Sequence, residues 1–414
     1  MLSGFLRFRL EDRQRQRGRL VDLAVDLSDG DYPPVVRLLL RGPGRGQRDL
    51  PWDAVQTVDW ELRQILVHDL GAARAAPPEA LTRAVLLKRD VMDALLLDVA
   101  ARQTMRANDL WLSEIDGCLR LQGADVSPWA VLRRIGRGLF GRGADRRLLD
   151  WRDMEFLRGD PRAATRGRDY HRRVASLQPA EIARLLDQLP YLHAAELLML
   201  IPDDVATDTL EAMSPERQIQ VFEELDHERA IRLLNLMAPD LAADLLGRLT
   251  PEQAASELAA LPAARRAPVI DLLRYPEDTA GGMMTNDLAR LPIRLTVGAA
   301  RQALRDQLSR PDFVYYVYVV DQSDQDRLLG VVTLRELLLA DESTPLRDVM
   351  RRATVTLDPL QPAAAAARQV AEQHLAALPV VTRDGRLVGA VTADAALIQL
   401  APPDLRAEAP RLFS

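Results

Sequence analysis

Tyr275 to Thr285 reads Y-P-E-D-T-A-G-G-M-M-T, Val314 to Asp321 reads V-Y-Y-V-Y-V-V-D, and Arg327 to Asp341 reads R-L-L-G-V-V-T-L-R-E-L-L-L-A-D. The last two stretches begin as neighbouring strands, rich in Val and Tyr and separated by a polar turn. A closing helix is expected from Leu334. Upstream, R-L-P-I-R-L-T (Arg290–Thr296) supplies a first strand that leads into an amphipathic helix, which gives the order β-α-β-β-α. Gly281-Gly282 reads as a hinge into that strand, because two glycines are too few to wrap a triphosphate as a full phosphate loop does. Y-Y-V-Y reads as strand core rather than as a platform for stacking bases.

The same order recurs downstream. V-T-L-D (355–358) precedes an Ala-rich helix, then come A-L-P-V-V-T (377–382), R-L-V-G-A-V-T (386–392) and a final helix from Ala393. Upstream, from Leu177 to Pro262, a proline recurs about every twelve residues, at Pro179, Pro190, Pro202, Pro215, Pro239, Pro251 and Pro262. Proline suits the first turn of a helix and breaks its interior, so this period implies stacked helices of two to three turns joined by tight corners.

Before residue 135 the pattern changes to short β-like runs and turns: R-L-V-D-L-A-V-D-L, V-V-R-L-L-L, a Gly-rich break from Gly42 to Gly46, and A-V-Q-T-V-D. A similar pattern follows the Pro77-Pro78 loop, suggesting an internal duplication, with Asp116-Gly117 as a hairpin turn. The Gly- and Arg-rich run that follows, R-R-I-G-R-G-L-F-G-R-G-A-D-R-R, reads as a solvated linker.

Composition sets outer limits. A chain of 414 residues has room for roughly three domains. Hydrophobic residues make up 48% but aromatics only 5%, a mixture dominated by Ala, Leu and Val that favours helix. The longest charge-free apolar stretches, Phe313–Val320 and Pro359–Ala367, fall far short of the ~20 residues of a spanning helix, so no bilayer span and no signal peptide are expected. Cys118 is the single cysteine, which excludes intrachain disulfides and thiolate zinc sites and suits a reducing, cytoplasmic compartment. Net charge is −6 and uneven: residues 133–173 hold 13 arginines against 6 acids, whereas residues 200–260 hold 13 acids against 4 arginines. Lys88 is the only lysine.

Taken together, Tyr275–Met350 and the proline-punctuated helices resemble the cytosolic half of MgtE-type magnesium channels, an N-terminal helical domain followed by a CBS pair. K-R-D-V-M-D-A…R-A-N-D-L-W-L, from Lys88 to Leu112, is similar to the PRC-barrel, a small β module of regulatory proteins. The chain then divides as a multidomain α+β protein. PRC-barrel-like units cover 1–75 and 80–135, an Arg/Gly-rich linker and helix 136–172, and an α-helical superhelix 173–275. CBS repeats cover 280–342 and 345–402, and a tail 403–414. The expected architecture is thus small β-barrel-like units, a central superhelix and a C-terminal CBS pair. In the MgtE family a transmembrane bundle follows the CBS pair; here the resemblance implies the sensor without the pore.

No enzyme constellation is present: His68, His171, His193, His227 and His374 are isolated, and there is no zinc helix, nucleophile elbow or Walker loop. Acids are more informative. Asp240 and Asp244, spaced i, i+4, set two carboxylates on one helix face, where they repel each other and a hard divalent cation such as Mg²⁺ would relieve the repulsion. The resemblance adds Asp208 on the helical domain and Asp341 on the CBS side, and implies a helical domain that closes on the CBS pair when magnesium fills the gap. CBS pairs also bind ATP or other adenine nucleotides, with Thr or Ser near phosphate and Asp three residues later on ribose. Here the positions are Thr333 with Glu336, and Thr392 with Ala395, with Asp394 one residue out of register. The expected partners are a second copy through the CBS pair and a membrane transporter; nucleic acid is not expected. A soluble subunit of a separate cation transporter and an adenine-nucleotide energy sensor are the alternatives.

Overall fold

The computed structural model describes residues 1–27, 30–42, 47–75, 85–115, 117–135, 146–157, 172–307, 314, 316–322, 325–352 and 355–401. It divides into two compact units, Met1–Pro202 and Asp203–Ser414. Most of the Gly/Arg linker, Asp116 and the tail lie outside the described residues.

The first unit is β-rich. A meander of Leu20–Val25, Val35–Arg41 and Gln47–Pro51 is extended on its outer edges by Val85–Leu86 and Arg74–Ala75, giving a five-stranded sheet. A four-stranded sheet is built on Arg9–Asp12, which pairs in parallel with Gln64–Val67. Asp109–Ile115 and Cys118–Asp125 form a hairpin closed at Ile115 and Cys118, with Gly117 at φ 75°, a left-handed value that glycine adopts without steric cost. Two strands come from the segment read as linker and helix: Leu148–Asp150 pairs with the hairpin, and Met154–Phe156 pairs with Leu95–Asp98. One apolar core runs through the whole β region, from Leu2 and Phe5 through Leu38, Ile65 and Leu110 to Trp151 and Phe156. The stretches either side of the Pro77-Pro78 loop therefore share a core, and their strands interleave, as when Val85–Leu86 pairs with Ala24 and Val25. The β-like runs match Leu20–Val25, Val35–Arg41 and Val55–Asp59 but not Arg9–Asp12, Gln47–Pro51 or Gln64–Val67, and they could not reveal that Trp151, 2% exposed, anchors a third stretch of chain in the same core.

The helical middle obeys its prolines. Pro179, Pro215, Pro239 and Pro251 each stand in the first turn of a helix, and Pro190 and Pro262 are N-caps. The helices are 8–11 residues long, too short to be stable alone in water, so they depend on stacking. Between Pro215 and Pro239 the period skips a proline, and Asp226 takes its place by capping His227–Leu236, accepting from the Arg229 amide at 2.7 Å. In the second unit each helix packs on the next but one: Asp203–Glu211 on His227–Leu236, the latter on Pro251–Ala260, and Pro239–Gly247 on Ala263–Leu273. Asp203 braces the first pair by accepting from Arg229, which is 4% exposed, and from Arg232 at 3.1 Å.

In the C-terminal part, Arg290–Pro292 runs parallel to Val317–Asp321, which pairs antiparallel with Arg327–Val332. Helices Val297–Gln307 and Leu334–Leu339 complete the repeat. Val317 and Val319 enter the core of this repeat, while Tyr318 and Val320 enter a second cluster with Ala377, Leu387 and Ala390. Both faces of the strand are covered, which is why its sequence is apolar without alternation. Tyr318 is 2% exposed, so it is core. The second repeat keeps Ala377–Val381, Leu387–Thr392 and both helices, but its first strand shrinks to one parallel bridge between Leu357 and Val380.

Gly281 and Gly282 serve close packing. A Cβ on Gly281 would lie 2.5 Å from the Tyr275 ring, and one on Gly282 would lie 2.3 Å from the Pro276 carbonyl oxygen. The turn is pinned to the second repeat by Ala280 N–H to Gln361 O, Gly281 N–H to Pro359 O and Ala363 N–H to Asp278 O, at 2.7–2.8 Å. Gly282→Ala is therefore expected to cost about 1–3 kcal/mol by overpacking against backbone, read as a lower urea midpoint at unchanged m-value.

Candidate functional site

The four candidate cation ligands lie on two helices and just beyond a third. Asp208 lies on Asp203–Glu211 and is exposed, and Asp341 follows Leu334–Leu339 and is also exposed. Asp240 and Asp244 lie one turn apart on Pro239–Gly247, both half-buried. Asp240 stands in the first turn of that helix, where the unpaired amides favour a carboxylate. It also accepts a hydrogen bond from the Thr285 hydroxyl at 3.1 Å. One residue further on, the Asn286 side chain donates to the Pro268 carbonyl at 2.8 Å. Thr285 and Asn286 thus fasten the turn that leads into the first CBS-like repeat to two helices of the superhelix. Neither residue stands among the candidates read from sequence; the polar pair after G-G-M-M was the available signal.

Among the described residues no three His, Cys, Asp or Glu side chains gather in a group that could hold a metal ion. The aspartates therefore do not form a closed coordination cage. As hard oxygen donors left partly open to solvent, Asp240 and Asp244 suit an ion that binds through one or two carboxylates and keeps its waters, which is the habit of Mg²⁺.

The candidate nucleotide residues sit at two equivalent helix starts. Thr333 caps Leu334–Leu339 and Thr392 caps Ala393–Leu400, each accepting from the amide three residues on at 3.2 Å. The repeats differ at that third residue. Glu336 completes a capping box: one of its oxygens accepts from the Thr333 amide at 2.9 Å and hydroxyl at 3.0 Å, and the other from Arg351 at 2.7 Å. Burial alone would raise the Glu336 pKa, but the bonds from Thr333 and the Arg351 charge outweigh it and hold the carboxyl below its ordinary value. Ala395 offers no such group, and Asp394 lies in the first turn of its helix. Thr333 and Glu336 are thus committed to the helix start and to Arg351.

Two family descriptions match the chain: the MgtE intracellular N domain over residues 177–278, and the CBS domain over residues 280–343 and 346–401. Residues 177–401 are homologous to the cytosolic domain of MgtE. The magnesium transporter MgtE of Thermus thermophilus is 38% identical over 224 residues, covering 53% of this chain and 49% of that protein. Its counterpart in Bacillus subtilis is 31% identical over 227 residues, covering 55% and 50%. The chain thus spans about half the length of the curated relatives it matches. Among solved structures, the cytosolic domain of the Mg²⁺ channel MgtE in complex with ATP is 32% identical at a TM-score of 0.53, covering 58% of this chain and 96% of that one. The soluble part of a magnesium transporter is 26% identical at 0.51, covering 58% and 92%. The MgtE-like region follows the β-rich region, and no helix among the described residues is long and apolar enough to cross a membrane. The matched domain types are regulatory or transport-related.

Because the folded Glu336 pKa is lowered, its contribution to stability is complete above the ordinary carboxylate range and is lost as pH falls through the lowered value. Glu336→Gln should therefore be less stable than wild type by about 0.5–1.5 kcal/mol at neutral pH. Urea titrations at descending pH should show the two proteins converging in acid.

Proposed function

We propose that residues 177–401 form a magnesium-responsive regulatory module that works from the cytoplasm on a membrane magnesium transporter. The observation that carries this reading is the pair Asp240 and Asp244, placed on the helix that also holds Thr285 at the entrance to the CBS pair. The kinship of this region with a transporter's cytosolic domain supports a transporter as the destination of the signal. Without cation, the paired carboxylates repel each other and other acids brought near them. At ~4 Å and an effective dielectric near 20, two full charges repel by about 4 kcal/mol, and by less as solvent enters or distance grows. Hydrated magnesium ions would offset that repulsion and favour docking of the superhelix on the CBS pair, with Asp208 and Asp341 carrying the remaining acidic charge. Complete switching takes about 5.5 kcal/mol of differential binding, which several weak ions share more readily than one tight one.

Adenine nucleotide is a second reading, supported by the equivalent threonine caps at Thr333 and Thr392 and by the ATP in the related structure. Glu336 would have to exchange its bonds to Thr333 and Arg351 for ribose hydroxyls, so the second repeat, with Asp394, offers the freer helix start.

A homodimer is part of this proposal, and exposed leucines on the CBS repeats support it. Leu338 and Leu339 are 72% and 76% exposed, and Leu397 is 65% exposed, all on the closing helices of the two repeats. Large apolar side chains left in water on equivalent elements suit burial against a second copy. Leu338→Glu with Leu397→Glu is expected to convert a dimer to a monomer in sedimentation velocity while leaving far-UV circular dichroism unchanged.

The cation reading is tested by thermal melting of the metal-stripped full chain. At magnesium about tenfold above its Kd, the wild type should gain about 1–2 kcal/mol, raising Tm by roughly 2–4 °C. Asp240→Asn with Asp244→Asn should lose most of that gain. Equal responses of the two proteins would overturn the assignment of these aspartates. A rise with ATP alone, without metal, would favour the nucleotide reading.

A further inference from the structure

We propose that the β-rich unit carries a binding site for a small soluble anion bearing several phosphates. A cleft of about 610 Å³ opens on this unit, with Arg7, Arg19, Arg41, Lys88 and Arg134 on its walls and Leu20 among its apolar lining. Among the described residues no Asp or Glu lines it. Exposed arginines are commonplace on a chain of this composition; concavity, the absence of carboxylates from that lining and the arrangement of the cations set these apart.

The cations come from five separate places in the chain and are brought together by pairing. Arg41 donates its amide to the Arg19 carbonyl at 3.0 Å, so the two residues stand opposite each other where Leu20–Val25 and Val35–Arg41 meet. Both side chains are exposed, and neither makes an ion pair among the described residues. Like charges directly opposite on neighbouring strands are destabilising, and an anion between them reverses the sign of that interaction. Lys88 lies at the turn after Val85–Leu86, where its amide and that of Arg89 are held by the buried Asp22 carboxylate at 2.7 and 3.0 Å. Its ammonium is therefore carried on a fixed backbone while remaining unpaired among the described residues. Arg134 is anchored to Asp93 at 2.8 Å, and Arg7 is aimed by its bond to the Arg134 carbonyl at 3.1 Å. Arg19, Arg41 and Lys88, beside two cations that are held in place, form a preorganised electropositive bowl.

The size and shape select among anions. The volume falls within the range of small-molecule sites, and a concave bowl suits a compact solute better than a planar bilayer surface. Guanidinium forks match phosphate oxygens two at a time, and a lysine adds a point charge, so a group with several phosphates satisfies more of the set than a lone carboxylate. Lys88 is the only lysine among 54 basic residues of the chain, so its side-chain amine reports on this cleft alone.

That uniqueness gives the test. The full chain is pulsed with an amine-acylating reagent at about 150 mM salt, where long-range screening is strong. Inorganic tripolyphosphate is compared with sulfate at matched ionic strength, and acylation at Lys88 is read by peptide mass, which separates it from the α-amino group. Tripolyphosphate should slow acylation at Lys88 by about tenfold where sulfate does little. Calorimetry should show tripolyphosphate binding about tenfold weaker or worse in Arg19→Ala with Arg41→Ala, and partly restored in Arg19→Lys with Arg41→Lys. The exposure of both residues makes these variants benign for folding, which a melting curve checks. Equal acylation in tripolyphosphate and sulfate, or unchanged affinity in the alanine variant, would overturn the proposal. So would protection by phosphatidic acid vesicles without protection by tripolyphosphate, which would assign the cleft to a lipid headgroup instead.

Discussion

The close approach of backbone at Gly281-Gly282 decides how the MgtE-like part of this chain is held together. With no Cβ at either position, the turn Tyr275–Thr285 lies flat against the second repeat and hydrogen-bonds to Pro359, Gln361 and Ala363. That contact fixes where the following residues emerge. Thr285 then meets Asp240, Asn286 meets Pro268, and Thr285 also pairs with Ala390 of the second repeat. Superhelix, first repeat and second repeat are joined at a connection of about ten residues. A pair of glycines normally signals conformational freedom; here steric permission is used to remove it.

Such a connection suits a regulatory module. The superhelix is built from short helices whose stability lies in stacking, and among the described residues no three of its acids gather into a group that could hold a metal ion. Under the proposed function, electrostatic control would act through repulsion that a hydrated cation relieves. Weak, cooperative binding fits a response to an ion present at high concentration. The structural duties of Thr333 and Glu336 show a different economy: the residues that would approach a nucleotide in the first repeat also close a helix start, so occupancy there would be coupled to the stability of the helix that carries the exposed Leu338 and Leu339.

The β-rich unit follows a separate logic. Its main core threads together strands from residue 9 to residue 156, and that threading brings Arg7, Arg19, Arg41, Lys88 and Arg134 to one cleft. The charge of that cleft is opposite in sign to that of the acidic superhelix. On the two proposals made for them, these regions would recognise ions of opposite kind.

Much of this was legible in the sequence because it rests on local rules. The proline period marks helix starts, the apolar run Val317–Val320 marks a strand covered on both faces, and the repeated R-L-x-G pattern marks equivalent strands of two CBS repeats. The skipped proline near Asp226 was invisible to a search for prolines, although an aspartate cap is itself a local signal. Partners far apart in the chain were beyond reach: that Trp151 joins the core of the first unit, that Asp240 bonds to Thr285 forty-five residues away, and that five cations share a cleft. Local pattern was enough for the proline-marked helices and the strands of the CBS repeats, because backbone dihedrals and side-chain period are properties of neighbouring residues, but not for Leu148–Asp150 and Met154–Phe156, whose strand character comes from their partners. Which charges meet is a matter of the folded molecule, because register and packing between distant elements, unlike period, are set by the whole core at once.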